Sequence, residues 1–383
     1  MSTYKALVIS AFDKPIAVQE LPTPTITPGS ALINPLYAGL QPYSRAIFTG
    51  KVPYPLILPL TPGTTCIARV EAVGADATSL NPGDIVWVDA TILGRDNPDN
   101  QILLALHGGS NAGSQKLMAD VWRNGCCGEK TLVPLENCHV LPESLFKTKE
   151  EGGMGYHFKD LSTLSTVLVP YGGLESAGVG AGTTVIVAPA TGKFSGGAVL
   201  AALAMGAKVI AAGRNEAGLQ KLFNFPGAKE RLTTVKLQSD VEKDAASLLA
   251  ATGGKGAHVY IDLSPPAASG PTTASHIKSS ILALRRNGQA VMMGGVTSNI
   301  ELNYGLLMFQ NISVRGQFMY DRRQIEQFIQ MLENGNLILG ESVGLTVAGS
   351  FPMEKAEEAL DLAEKGTGWG NDVLVAPNGE EGI

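Results

Sequence analysis

A turn of small residues at positions 189–197, with the sequence PATGKFSGG, carries the clearest signature of ligand chemistry in this chain. It follows a β-branched run at 185–187 and precedes an alanine- and leucine-rich run at 198–205 that favours a helix. The first turn of a helix presents backbone N–H groups without intrahelical acceptors, together with the positive end of the helix dipole. Because small side chains let a phosphate approach those N–H groups, the turn predicts a site for the pyrophosphate of a dinucleotide.

The spacing of glycines in this turn departs from the usual G-x-G-x-x-G pattern. In the register G-x-x-G-x-x-G, the glycine positions hold Pro189, Gly192 and Ser195. Since proline has no N–H, we expect the pyrophosphate to lie beyond it, with any positive φ of the turn at Gly192. A lysine ammonium here adds a point charge, which is weak if solvated. The residues expected to contact the cofactor in the turn are Ala190, Thr191, Gly192, Lys193, Phe194 and Ser195. The alternative is a strand–turn–helix unit without a ligand.

The end of the next apolar strand, Gly213, Arg214 and Asn215, predicts NADP as the cofactor. An NAD site calls for an acidic residue about 20 residues past the glycines, to hold the ribose hydroxyls, and this strand end has none. Gly213 leaves room for a 2′-phosphate, and the planar guanidinium of Arg214 can pair with it. The alternative is that Arg214 is only a solvated charge after a strand.

Length, charge and hydropathy limit the classes of protein that fit the chain. With 383 residues, of which 44% are hydrophobic, it is long enough for two domains with sizeable cores. The formal net charge of −6 argues against nucleic-acid or membrane-surface binding. The N-terminal residues lack the layout of a signal peptide, and no apolar run reaches the roughly 18 residues of a membrane span. We therefore expect a cytoplasmic protein with a small-molecule substrate.

The cysteines and histidines predict no metal site. Cys66, Cys126, Cys127 and Cys138 include no C-x-x-C pair, and the five histidines are scattered along the chain. A structural zinc site needs four nitrogen or sulfur ligands at close spacing. We therefore expect buried thiols in a reducing cytosol.

Short strand patterns, broken by proline and glycine turns, occupy the chain from about residue 4 to residue 145. Residues 65–74 alternate as a strand does, and the apolar run at 85–88 follows the Asn-Pro-Gly-Asp turn at 81–84. This pattern is not that of a parallel sheet with helical crossovers, so a separate β-rich domain precedes the dinucleotide unit.

Several segments resemble, in the same order, motifs of the medium-chain dehydrogenase/reductase superfamily. Residues 62–74 are similar to its P-G-x-x-x-x-G-x-V-x-x-V-G strand, with Ala68 in place of the middle glycine. The other similar segments are PGDIV at 82–86, AHVYID at 257–262, GQAVMMGG at 288–295 and GQFM at 316–319. The matches span nearly the whole chain, so they are specific for fold and less specific for reaction.

The resemblance implies an α/β protein with a Rossmann doubly wound parallel sheet and a GroES-like β-rich catalytic domain. The catalytic domain would occupy residues 1–160, the Rossmann NADP-binding domain residues 161–320, and a returning C-terminal segment residues 321–383. In more detail, 312–334 would form the last Rossmann strand and helix, and 346–376 would rejoin the first domain. The resemblance further implies cofactor contacts from Asp262, Gly294, Gly295, Val296, Gln317, Phe318 and Met319.

The family's metal positions are altered in this chain. The position of the first metal cysteine holds Gln41, the histidine of the family's G-H-E triplet corresponds to Thr64, and the third ligand falls near Val169. We therefore expect no catalytic zinc. An insertion at about 91–122 replaces the four-cysteine structural lobe, and it either walls the substrate pocket or is a surface excursion.

Without a metal, hydrogen-bond donors must stabilise developing negative charge and supply the proton. In the loop that faces the nicotinamide in this family, Tyr43 is the first candidate, and Tyr54 on the following loop is the second. Gln41 would orient the substrate or touch the ribose. The alternative for either tyrosine is aromatic packing between loops.

These features predict a zinc-independent, NADPH-dependent oxidoreductase that reduces an activated C=C bond of an enone, enoyl or quinone substrate. The branch with this chemistry is the quinone oxidoreductase-like and enoyl reductase-like one. The alternatives are a carbonyl reductase or alcohol dehydrogenase, and a non-catalytic NADPH-binding protein. The resemblance also implies a homodimer formed through Rossmann sheet edges.

Overall fold

The structure is a computed structural model that describes residues 2–268 and 274–379. It divides into two compact units, and each is described by itself. The first unit comprises Met1–Thr163, Thr346–Thr367 and Asn371–Ile383. The second comprises Leu164–Leu345 and Gly368–Gly370.

The elements are numbered in chain order. The strands are β1 (Thr3–Val8), β2 (Ala17–Pro22), β3 (Ser30–Leu40), β4 (Cys66–Val73), β5 (Ile85–Val88), β6 (Thr91–Leu93), β7 (Gln101–Leu103), β8 (Thr131–Pro134), β9 (Cys138–Val140), β10 (Thr184–Val187), β11 (Lys208–Gly213), β12 (Leu232–Lys236), β13 (Ala257–Asp262), β14 (Leu284–Met292), β15 (Ser313–Gly316), β16 (Val347–Phe351) and β17 (Asp372–Val375). The helices are α1 (Ser44–Phe48), α2 (Ala112–Asp120), α3 (Phe158–Leu161), α4 (Ser165–Ser176), α5 (Lys193–Ala204), α6 (Glu216–Lys221), α7 (Ala228–Arg231), α8 (Val241–Ala251), α9 (Ser275–Leu282), α10 (Tyr304–Gln310), α11 (Arg322–Glu333) and α12 (Ala356–Lys365).

The second unit contains a parallel six-stranded sheet with the order β12-β11-β10-β13-β14-β15. The first strand, β10, is buried along Val185, Ile186 and Val187, as its unbroken apolar run predicts for a strand covered on both faces. The strand order is that of the Rossmann fold, and it reverses direction between β10 and β13. Ligands of such sheets bind outside the carboxyl ends of the strands at this reversal, which directs attention to the residues that follow β10, β11 and β13.

The first unit is β-rich and built around a seven-stranded sheet with the order β16-β17-β3-β4-β5-β9, in which β8 also pairs with β3. Its pairings are antiparallel apart from the parallel pair of β16 and β17. A hydrophobic core lies against the sheet, with Ile33, Ala68 and Val86 fully buried. This is the GroES-like domain. The expected fold class, a GroES-like domain with a Rossmann sheet, is therefore confirmed.

The insertion at 91–122 folds as the hairpin of β6 and β7 followed by helix α2. Ile92, Ile102, Met118 and Trp122 are buried in the core of the first unit. The side chains of the insertion therefore form part of the core, and a surface excursion does not describe them.

The C-terminal part of the chain is shared between the two units. The second unit continues to Leu345, beyond the boundary expected at residue 320, because α11 packs against α4: Arg323 forms an ion pair of 2.8 Å with Glu175, and Gln324 is buried. The strands β16 and β17 belong to the first unit, where β17 pairs with β3.

Candidate functional site

The turn after β10 leads directly into α5, a helix of 12 residues. Gly192 is its N-cap residue with φ −78° and ψ 169°, and no side chain caps the helix. The first N–H groups of α5 are therefore not taken up by a capping side chain, as a site for an anion requires. Gly192 has no positive φ, contrary to what we allowed for, and a Cβ built on it would lie 3.5 Å from Oγ of Ser195. Neither backbone conformation nor neighbouring atoms require glycine at this position.

The other residues of the turn differ in how they can serve a ligand. The Ala190 N–H donates to the Ala212 carbonyl (2.8 Å), so it already has an acceptor. Ser195 is buried. Lys193 is also buried, with 8% of its surface exposed, so the case of a solvated side chain does not apply to it.

Close packing at the start of α5 falls on two glycines that we had not placed at motif positions. A Cβ on Gly197 would lie 2.2 Å from the carbonyl oxygen of Thr166 in α4, and one on Gly196 would lie 2.5 Å from the ring of Trp369. Gly196 and Gly197, which follow Ser195, therefore provide the close packing that the third glycine of the motif usually provides.

At the end of β11, Gly213 is buried and Arg214 is exposed. A Cβ on Gly213 would lie in ordinary van der Waals contact with the side chains of Thr191 and Leu219, at 3.5 and 3.7 Å. The Asn215 side chain caps α6 by accepting from the Gly218 N–H at 3.0 Å, so its oxygen has a structural role.

A second cation lies beside this strand end. Lys236 ends β12, pairs in register with Gly213, and forms an exposed ion pair of 2.8 Å with Glu216. Sequence analysis missed Lys236, although parallel strands bring their carboxyl ends to one edge of the sheet. The β-branched run at 233–235, which Lys236 follows, was therefore a signal that we did not use.

At the end of β13, the Asp262 carboxylate is buried within a polar cluster. Ser264 donates its hydroxyl proton to Oδ1 of Asp262 (2.5 Å), and Nε2 of His276 lies 2.8 Å from the same hydroxyl and 3.4 Å from Oδ1. A Cβ on Gly294 would lie 2.3 Å from Oδ2 of Asp262, so this position requires glycine. With 3% exposure, Asp262 is placed to order the loop at Gly294, and its burial disfavours the direct cofactor contact that we expected.

The loops after β14 and β15 are exposed at the same edge of the sheet. Gly294 and Gly295 are both exposed, and Val296 packs against the core of this unit.

In the loop after β15, the Gln317 side chain is hydrogen-bonded and the backbone of Met319 is strained. The Gln317 side chain accepts from Arg315 (2.7 Å) and donates to the carbonyl of Met319 (3.3 Å), and Phe318 is exposed. Met319 has φ 59°, a conformation that costs energy for a non-glycine residue and is common at ligand sites.

A pocket in the first unit contains the residues that we predicted for catalysis on the loop before α1. It is lined by the residues Gly39, Leu40, Gln41, Tyr43, Ser44, Phe48, Gly63, Thr64, Ala105 and Leu106. The Oε1 atom of Gln41 is buried and has no hydrogen-bond partner among the described residues. A buried polar atom without a partner is costly, so a ligand that donates a hydrogen bond is favoured here.

The backbone around the pocket is held in special conformations. Gly63 has φ 105°, and a Cβ on it would lie 2.7 Å from the Cys127 nitrogen, so only glycine places Thr64 at the pocket. Ala105, on the insertion, has φ 54°. Ala105 and Leu106 of the insertion line this pocket, and whether the pocket takes the substrate stays a prediction.

The two tyrosines lie close to each other beside the core of the first unit. Burial, together with the neighbouring Tyr54, raises the pKa of Tyr43 far above the usual tyrosine value. Burial likewise raises the pKa of Tyr54 and lowers that of His107, whose ring packs edge-on against Tyr54. Both phenols therefore stay neutral at pH 7 and can donate hydrogen bonds. Sequence analysis missed His107, because it lies far from the tyrosines along the chain.

Helix α1, which follows Gln41 and Tyr43, is anchored by charge. Arg45 pairs with Glu357 (2.5 Å), Asp361 (2.5 Å) and Glu364 (3.4 Å), all on α12. These contacts hold the helix that directly follows the predicted site residues.

Two families of known proteins match the chain. The family described as "Alcohol dehydrogenase GroES-like domain" matches residues 27–143, and the family described as "Zinc-binding dehydrogenase" matches residues 196–334. The first match falls in the β-rich unit and the second in the Rossmann unit, in the order that this architecture requires.

The chain belongs to the medium-chain dehydrogenase/reductase superfamily.

Similar proteins fall in more than one branch of this superfamily of oxidoreductases. A zinc-type alcohol dehydrogenase-like protein of Schizosaccharomyces pombe is 25% identical over 371 residues, which is 92% of each chain. The quinone oxidoreductase of Homo sapiens is 25% identical over 342 residues, covering 88% of this chain and 86% of that protein. A crystal structure of an NAD-dependent alcohol dehydrogenase superposes with a TM-score of 0.73 at 22% identity, covering 97% of this chain and 99% of the other.

Nicotinamide cofactors are typical of medium-chain dehydrogenases/reductases, and the second unit fits one. The start of α5 offers N–H groups that no side chain caps, and Gly213 places no side chain at the strand end. Within the described part of the chain, no helix combines the length and apolar character that a membrane-crossing segment needs.

The zinc of many medium-chain dehydrogenases does not fit the pocket residues. Gln41 and Thr64, at the family's ligand positions, line the pocket with a neutral amide and a hydroxyl, which are poor zinc donors beside thiolate and imidazole. Within residues 2–268 and 274–379, no three histidine, cysteine or carboxylate side chains are grouped as metal ligands. The four cysteines are buried as free thiols.

Proposed function

We propose that this protein is a zinc-independent, NADPH-dependent oxidoreductase that reduces an activated C=C bond in an enone, enoyl or quinone substrate. The observation that carries the proposal is the set of side chains in the first unit's pocket. Gln41, Tyr43 and Thr64 provide an amide, a phenol and a hydroxyl at the place where zinc-dependent relatives hold metal. Without a Lewis acid, hydrogen-bond donors must stabilise the charge that develops on the substrate oxygen.

The second unit holds the cofactor by the start of α5 and the end of β11. The N–H groups of Lys193, Phe194 and Ser195 bind the pyrophosphate, with the buried lysine contributing its charge. The loops at 294–296 and 317–319 hold the carboxamide. When bound, the cofactor supplies a hydride to the substrate.

The preference for NADPH rests on the cations at the carboxyl edge of the sheet. Gly213 places no side chain beside the 2′-phosphate, Arg214 pairs with it, and Lys236, which is ion-paired with Glu216, lies at the neighbouring strand end. The crystallised relative named as NAD-dependent makes NADH the alternative. The ratio of the dissociation constants for NADPH and NADH distinguishes the two preferences.

In the reaction, the pocket side chains handle the proton and the negative charge. The unpartnered Oε1 of Gln41 is an acceptor, so it would orient the substrate by accepting a hydrogen bond from a donor group on it, whereas the substrate carbonyl would accept from the phenols. The negative charge that would develop on the carbonyl oxygen during reduction would be stabilised by hydrogen-bond donors of the pocket. A phenol, from Tyr43 or Tyr54, then delivers the proton.

A carbonyl reductase is the second candidate, because one similar protein is named as zinc-type alcohol dehydrogenase-like and one similar structure as an alcohol dehydrogenase. The tyrosines would donate their proton to the carbonyl oxygen in that case. The named quinone oxidoreductase favours the first candidate.

We also propose that the protein forms a homodimer through strand β15. This strand is the edge of the six-stranded sheet, so one side of its backbone is unpaired within the described unit. Val314 is exposed on the strand, and Met308 and Phe309 are exposed on the preceding helix α10. An exposed apolar sheet edge suits pairing with the same strand of a second copy.

The proposed activity is tested by following NADPH oxidation with a panel of enones, quinones and aldehydes. We expect turnover with enones or quinones, and a Tyr43→Phe variant should lower kcat about 10²-fold while it still binds NADPH. Turnover with aldehydes alone would favour carbonyl reduction. NADPH binding without turnover on any substrate would indicate a non-catalytic binding protein.

A further inference from the structure

The insertion brings a histidine against one of the two candidate proton donors. The ring centroids of His107 and Tyr54 lie 5.7 Å apart at an interplanar angle of 89°, an edge-to-face contact. Next to this pair, the Gly108 N–H donates to the Pro55 carbonyl at 3.0 Å. The proline-rich loop and the insertion are thus joined by backbone and side chain at the same place.

The orientation of the imidazole is set by the insertion itself. The Gly109 N–H donates to Nδ1 of His107 at 3.0 Å, so Nδ1 is the unprotonated nitrogen of a neutral ring. Gly109 has φ 75°, and a Cβ on it would lie 2.1 Å from the Cβ of Ser114 on α2. Because only glycine fits there, the backbone that holds the imidazole is tightly constrained.

Tyr54 also lies within electrostatic reach of Tyr43, which lines the pocket. Leu106, the residue before His107, lines the same pocket. Neighbours of the pair therefore line the pocket, and the contact itself joins Tyr54, in a loop, to His107, which forms an isolated β-bridge with Leu103.

We propose that His107 is a positioning residue, whose ring holds the Tyr54 phenol in the orientation from which it donates the proton. The proposal rests on the proposed reductase function, and it assigns a role to the insertion. A tyrosine on a loop can turn about its side-chain bonds, whereas a proton donor must stay within hydrogen-bond reach of the reacting atom. An edge-to-face neighbour on a constrained backbone removes that freedom before the substrate binds.

Three single variants separate the ring contact from the anchor of the loop. His107→Asn keeps an acceptor for the Gly109 N–H but removes the ring, and His107→Phe keeps a ring but loses the acceptor. Tyr54→Phe removes only the hydroxyl. We expect Tyr54→Phe to lower kcat about 10²-fold and His107→Asn about tenfold, both with KM little changed. His107→Phe should retain most of the activity.

The decisive measurement is the double variant of Tyr54→Phe and His107→Asn. If the histidine acts by placing the hydroxyl, its replacement should not lower kcat further once the hydroxyl is absent. Independent, multiplying losses would overturn the proposal, since a general structural role would persist in the double variant. A His107→Phe loss as large as that of His107→Asn would overturn it too, because the loop anchor would then be the cause.

A second measurement does not depend on turnover. In protein labelled with ¹³C-tyrosine, the Tyr54 ring signal is assigned from Tyr54→Phe, and we expect His107→Asn to shift it and to speed ring flipping. An unchanged signal would refute the positioning role even if the enzyme turns over. A different result would be that His107→Asn alters the ring motion but the wild-type protein never oxidises NADPH. That result would refute the reductase function and leave the contact established.

Discussion

Replacement of Gly192 by valine tests whether the start of α5 is the phosphate site. The native φ of −78° is available to any residue, and a Cβ has an ordinary contact at 3.5 Å from the Ser195 hydroxyl, so folding should tolerate the change. The added methyl groups would cover the first N–H groups of α5. If two of the charge-assisted hydrogen bonds are lost, at about 1.5–3 kcal/mol each, NADPH affinity should fall about 10²- to 10⁴-fold.

The assay is a calorimetric titration of NADPH, with thermal unfolding to establish that each variant is folded. Gly180→Val is the matched control, because this glycine precedes β10 at the other end of the strand and a Cβ on it would meet nothing within 4 Å. It should bind NADPH as wild type does. The reasoning is refuted if folded Gly192→Val binds NADPH as tightly as the control, since the pyrophosphate would then lie elsewhere.

Three further predictions follow from the cofactor edge, the buried thiols and the sheet edge. Arg214→Ala should weaken NADPH binding about tenfold and leave NADH binding unchanged; the loss is at the low end for a charge-assisted hydrogen bond because the side chain is exposed. Lys221→Ala on α6 is the charge-matched control, and an equal loss of affinity for both cofactors would contradict the assignment. Burial raises the pKa of Cys127 strongly and that of Cys138 to about 12, so the native state retains protons that the unfolded chain releases. The free energy of unfolding under reducing conditions should therefore fall as the pH rises above about 8.5. A denaturation profile that stays flat from pH 7 to 10 would count against buried thiols. Val314→Asp should convert a dimer to a monomer in sedimentation analysis, whereas a monomeric wild type would dismiss pairing through β15.

The Rossmann unit was predictable because its signals are local. The apolar run of β10, the small residues of the turn and the helix formers of α5 are adjacent in sequence, and each dictates its own conformation. The conformation of Gly192 was not predictable from the same residues. Glycine permits a positive φ but does not require it, and the close packing falls on Gly196 and Gly197, through contacts with Trp369 and α4 that are distant in sequence.

The side-chain clusters were harder to predict, because they depend on contacts across long stretches of chain. His107 reaches Tyr54 through the folding of the insertion, which has no counterpart in the motifs that the chain resembles. Likewise, the cluster of Asp262 and His276 joins a strand end to a following helix. Residue types indicated which chemistry was available at these positions, whereas only the tertiary structure shows which groups meet.

The most direct test of the account is hydride transfer by metal-free protein. After dialysis against a chelator and elemental analysis for zinc, the enzyme is given NADPH deuterated at the transferring position and an enone, and the product is analysed by mass spectrometry. We predict that protein with less than about one zinc atom per ten chains still turns over. We also predict that deuterium appears on the carbon β to the carbonyl. Activity that appears only when zinc is restored, with deuterium on the carbonyl carbon, would contradict both the zinc-independent mechanism and the reduction of C=C.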